Sequence, residues 1–139
     1  MNTINRTDEL YAMVEREEQR LSVILKGLRK LPELSRTRPL KCLNTMISIE
    51  EDWELVVKSI VFHTLFMIGL KAEINEFDRN VSDIAEEKDT VRKAKLFKQI
   101  LEPLVVAMLE RTPTFKEIIR EARHRIDNRL GKSARGVNN

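Results

Sequence analysis

The chain has 139 residues, 42% hydrophobic and 34% charged, which is enough for one domain with its own core and more charge than a typical globular fold carries. Four glycines and four prolines are too few for the frequent turns of a many-stranded β fold, and a single cysteine excludes an intramolecular disulfide. The formal net charge of +3 sets no partner class by itself, but it conceals strong segregation along the chain.

The opening segment, MNTINRTDELYAMVEREEQ, has no apolar core and carries Asp8, Glu9, Glu15, Glu17 and Glu18. That composition fits neither a secretory signal nor a mitochondrial presequence, and an intracellular location, cytoplasmic or nuclear, is expected. Asn5 or Thr7 is placed to cap a first helix that runs to about Leu31. Val14, Leu21, Ile24, Leu28 and Leu31 fall on its inner stripe. Glu17 occupies a heptad position where an apolar residue belongs, so the first turns are expected to be less buried. Leu21, Ile24, Leu28 and Leu31, widened by Leu25, form a broader apolar face than a surface helix needs. That face is the candidate interaction helix and the motive for expecting self-association.

The segment LPELSRTRPL follows. Pro32 and Pro39 each disfavour a helical residue before them, which predicts a loop carrying Arg36 and Arg38. Leu40, Leu43, Met46 and Ile47 suggest a short helix. Cys42 within it reads as a buried, unreactive thiol.

SIEE, Ser48 to Glu51, has the form of a capping box. Beyond it, Ile49, Trp53, Val56, Ile60, His63, Met67, Leu70, Ile74 and Phe77 alternate at gaps of four and three. This predicts one long central helix, apolar all round in its middle, with the others packed about it. The uncharged run from Ser59 to Leu70 is too short to cross a bilayer, and Lys58 and Lys71 close it. His63 falls on the stripe and is expected to be a core residue with one hydrogen bond. The only other histidine is His124, and neither has a second ligand at metal-binding spacing, so no metal or cofactor is expected.

FDRNVSD predicts a turn, with Asn80 or Ser82 capping a helix through Ile84, Val91, Ala94, Phe97 and Leu101. Pro103 is expected to kink it before LVVAML resumes. Thr112 with Pro113, and Thr114 with Glu117, mark the start of a last helix. Phe115, Ile119, Ala122, Ile126 and Leu130 lie on one of its faces, and Gly131 is a natural stop. The expectation is an all-α bundle of about four long helices and one short one around a central apolar helix. It is expected to form one domain over 1–131, with a flexible polar tail over 132–139.

Charge is distributed in blocks. Residues 20–42 carry seven basic side chains against Glu33 alone, and residues 92–139 carry twelve against five acidic ones. Residues 43–91 are the reverse, with eleven acidic and four basic. Arg29, Lys30, Arg36, Arg38 and Lys41 from one block, and Arg120 and Arg123 from the other, are candidate anion or nucleic-acid contacts. Arg125 is spaced to pair with Glu121, and Arg120 with Glu117. Aromatic residues are scarce and sit mostly on apolar stripes, so stacking on unpaired bases is not expected. If nucleic acid binds, phosphate contact to a duplex is the expected mode.

No glycine-rich phosphate loop, cysteine pair or nucleophile elbow is present. The composition therefore points to a non-enzymatic helical protein of accessory or adaptor type that self-associates and binds another protein. Duplex RNA or DNA binding through the two basic blocks is the alternative.

Overall fold

A computed structural model describes residues 3–138, with side chains from 6 to 131. The fold is all-α, with no strand among the described residues. Helix α1 spans Thr3–Thr37 and α2 spans Pro39–Lys58. A π-helical turn, Phe62–Phe66, leads into a single turn α3, Met67–Gly69. Helices α4, Lys71–Glu86, and α5, Thr90–Asn138, complete the chain.

The axis of the fold is α1 laid against α5, not the segment from Ile49 to Phe77. In α1, Val14, Glu17, Leu21, Ile24, Leu28, Leu31 and Ser35 are all buried. Their spacing alternates three and four, one seam of a helix that keeps facing its neighbours. Helix α1 packs along α5 and α2, and α4 packs along α5. Pairing of Asp8 with Arg123, Glu18 with Lys116 and Arg29 with Glu102 shows that α1 and α5 run antiparallel.

Helix α1 begins before Thr7, so Thr7 is not its cap, and the Asn5 side chain lies outside the described residues. The first turns are less buried, as expected: no side chain from Arg6 to Met13 is buried, though Glu17 itself is. It is 2% exposed and stays within the seam because Arg20 meets both its oxygens, at 2.7 and 2.9 Å.

Pro32 does not end α1. A proline removes one helical donor and strains the previous turn, but Leu31 and Ser35 on either side are buried and hold the helix together. Ser35 Oγ adds a bond to the Pro32 carbonyl at 2.8 Å. The same steric rule succeeds at the second proline. Arg38, before Pro39, has φ −142° and ψ 77°, and the chain turns there. Pro39 then opens α2, which runs through Ser48 without a break, so the expected capping box is mid-helix. Cys42, Met46, Ile49 and Val56 bury one continuous stripe.

The expected rod from Ile49 to Phe77 is folded back on itself. Ser59 is extended, with φ −67° and ψ 143°, and its Oγ accepts from the Val61 amide at 3.1 Å to restart the helix. A second break falls at Leu70, with φ −125° and ψ 23°. The decisive contact is Trp53 against Phe77, with ring centroids 5.6 Å apart. Residues that far apart in one straight helix would be separated by about 36 Å. Phe62 also meets Trp53 edge-on, at 6.2 Å, so the indole closes the fold-back.

Between the two breaks the buried face changes register. Val61, Phe62, Phe66 and Leu70 are inside, whereas Ile60, His63 and Met67 are exposed. The wider π turn absorbs that shift. His63 is therefore not a core residue; it sits at the surface beside the Phe62 ring.

Helix α4 continues past Asn80 and Ser82, and Asn80 bonds the Glu76 carbonyl within it. The turn comes at Glu87–Asp89, where Asp89 Oδ1 accepts from the Val91 amide at 3.2 Å and caps α5. Helix α5 passes through Pro103, Pro113 and Gly131, so the two expected C-terminal helices are one. Thr112 and Thr114 are interior residues of it. The Thr112 hydroxyl, 2.8 Å from the Leu109 carbonyl and 2.7 Å from a Glu18 carboxylate oxygen, shares its one proton between them, and the Leu109 carbonyl is the group that Pro113 leaves without an amide donor. Ala122 and Leu130 of the expected last inner face are exposed. The side chains of the expected tail over 132–139 lie outside the described residues.

Candidate interaction groove

The antiparallel α1–α5 pair has two unlike ends. At the end near the start of α1, Asp8 pairs with Arg123 and the Tyr11 hydroxyl accepts from Arg120. The Arg120 guanidinium also lies over the Tyr11 ring, 5.2 Å from its centre. Glu18 accepts from Lys116 at 2.6 Å and from the buried Thr112 hydroxyl at 2.7 Å. The Lys116 hydrogen bond holds the Glu18 carboxyl below its ordinary value, and the same bond raises the Lys116 ammonium. At this end the charges are matched, around a smaller cavity of about 280 Å³ lined by Thr7, Asp8, Tyr11, Ile119, Arg120 and Arg123.

Toward the other end lies an open groove of about 680 Å³ between the last turns of α1 and the first half of α5. Pro32, Val91, Pro103 and Val106 form its apolar walls. The two prolines, one on each helix, both open onto it. Pro32 cannot donate to the Leu28 carbonyl, nor Pro103 to that of Gln99, so each helix loses one internal bond here. Arg36, Lys95 and Lys98 set positive charge around the groove, with Ser35, Gln99 and Glu102 as its other polar members.

The charges in the groove are only partly matched. Lys98 Nζ lies 3.2 Å from Glu102 Oε2, without hydrogen-bond alignment, and Arg29 Nε is 4.0 Å from Glu102 Oε1. Glu102 Oε2 is buried and has no hydrogen-bond partner among the described residues. Arg36 Nε donates to the Pro32 carbonyl at 3.3 Å. Among the described residues, neither Arg36 nor Lys95 has an acidic partner within ion-pair distance.

The candidate contacts from the two basic blocks are not brought together. Arg29, Lys30, Arg36, Arg38 and Lys41 belong to the end of α1 and the start of α2. Arg120 and Arg123 stand opposite Tyr11 and Asp8, about 27–42 Å from Arg29 and Arg36 along α1. Arg125 pairs with Glu121 at 2.8 Å as its spacing implies, whereas Arg120 goes to Tyr11 and not to Glu117. Lys95 and Lys98 join Arg36 in place of the distal arginines. Their signal was present in the sequence: Val91, Lys95, Lys98, Glu102 and Val106 share one helical face, a pattern that block-wise charge counting hides.

The candidate interaction helix is committed inside the chain. Leu21, Ile24, Leu28 and Leu31 are each fully buried, and no partner can reach them while the bundle is intact. The large apolar side chains left exposed are others: Leu40 and Ile47 share a face of α2, and Ile60 and Ile68 flank the π turn. Cys42 is buried with its thiol pushed up by burial, which disfavours a reactive thiolate. Among the described residues no helix is long and apolar enough to cross a membrane. No family model, curated protein or solved structure matches the chain.

Proposed function

We propose that this chain is a non-enzymatic helical adaptor that docks a partner protein in the groove between Pro32 and Pro103 and associates with copies of itself. The observation that carries the docking reading is the groove: apolar walls, an open mouth, and two cations, Arg36 and Lys95, without acidic partners among the described residues. Concave apolar surface with a few polar groups is the usual form of a binding site. Self-association is supported by Leu40, 77% exposed, and Ile47, 52% exposed, which put two large apolar side chains in water on one face of α2. The duplex-binding alternative needs its two basic groups on one surface, and their separation along α1 favours it less.

Selection of peptides from a random displayed library tests the docking reading. Enriched peptides are expected to lose binding to Val91→Asp, in the groove, and to keep it on Ile118→Asp, an exposed apolar position elsewhere. Peptides that bind both variants equally would contradict it. Light scattering across the micromolar range tests the second part: a mass above one chain is expected, and a monomer throughout removes self-association.

A further inference from the structure

We infer that the occupant of this groove is an acidic amphipathic helix of the partner protein, an inference that rests on the docking reading above. Length is the first argument. The α5 wall runs from Val91 to Val106, about 22 Å or four helical turns. A small metabolite does not need a site that long, whereas a helix laid between α1 and α5 fills it by the same ridge-into-groove packing that holds the bundle.

Charge is the second argument. Arg36, Lys95 and Lys98 stand against one carboxylate, Glu102, so the groove is net positive, and two of its three cations have no acidic partner among the described residues. Carboxylates spaced three or four residues apart along the rim of an incoming helix meet them without desolvating the apolar strip. That arrangement sets partner choice and orientation more than raw affinity. The occupant so described has small aliphatic residues on one face and glutamates flanking that face.

Fluorescence anisotropy with three labelled designed peptides tests this on the full chain. The first is an amphipathic helix with flanking glutamates, the second replaces them with lysines, and the third scrambles the apolar face at constant charge. The glutamate peptide is expected to bind at least about tenfold more tightly than the other two, more weakly as salt rises. The doubly substituted R36E/K95E protein, its fold checked by circular dichroism, is expected to prefer the lysine peptide. Equal binding of the lysine peptide to the native protein overturns the acidic occupant while leaving the docking reading intact. Equal binding of the scrambled peptide overturns the helical one. Failure of all three peptides to bind removes the docking reading as well. Displacement of the glutamate peptide by a short RNA duplex at low salt reassigns the groove to phosphate.

Discussion

The two ends of the α1–α5 pair share one seam and differ in what covers it. Near the start of α1, Asp8, Tyr11 and Glu18 each meet a basic residue of α5, and the charges across the interface are matched. Near its end, Pro32 faces a groove also lined by Pro103, and Arg36 and Lys95 meet no acid among the described residues. The contrast separates charge that holds a fold together from charge that the fold leaves available. Counting basic residues along the chain does not distinguish the two. Their partners do.

The largest expected effect breaks what the two ends share. Leu28→Ala empties a fully buried position in the seam and is expected to cost about 2–5 kcal/mol, read by denaturant unfolding. Next comes the charge-matched end. Glu18→Ala leaves Lys116 without its acceptor and Thr112 with the Leu109 carbonyl alone, and a loss of about 1–3 kcal/mol is expected.

The same pair has a defined pH signature. The folded-state pKa of Glu18 lies below its unfolded value, so its contribution is present above the unfolded value and is lost as pH falls through the folded one. Lys116 is raised, so its share is full below its unfolded value and is lost as pH rises through the higher folded one. Unfolding curves at a series of acid pH values are expected to show a shallower acid decline for Glu18→Gln than for the native chain.

At the open end the expectation reverses. Arg36→Ala and Lys95→Ala are expected to change stability by no more than about 0.5 kcal/mol, because both side chains are exposed and neither meets an acid among the described residues, while weakening binding of the glutamate peptide. A large loss of stability in either would mean that the open end is not open. The smallest effect belongs to Arg125→Ala. It breaks an exposed i,i+4 pair with Glu121 and is expected to cost about 0.3–0.5 kcal/mol in thermal unfolding.

Much of this architecture could be read from residue spacing. The α1 stripe from Val14 to Leu31 is buried as its periodicity requires, and Arg38 leaves the helix because Pro39 follows it. The fold-back at Ser59 could not be read the same way. Periodicity reports which residues share a face, not whether the axis continues. The stripe from Ile49 to Phe77 kept its three–four rhythm while the chain turned, because the helical segments on either side of the breaks are each amphipathic. The π turn at Phe62–Phe66 then moved the buried face off Ile60, His63 and Met67. Pro32 misled for a related reason: its local cost is real, but the buried residues around it offset that cost. The groove was legible only in part. Arg36 stood out in its loop-like context, but Lys95 and Lys98 gain meaning only once α5 lies antiparallel to α1 and brings them beside it.

Methyl NMR of the full chain titrated with the glutamate peptide tests the central claim most directly, because valine and isoleucine methyls mark both ends of the pair. Val91 and Val106 line the groove, and Ile119 is buried at the charge-matched end. Saturable shifts of the Val91 and Val106 methyls with Ile119 unmoved are predicted. Shifts centred on Ile119, or no shift at any of the three, would contradict the account.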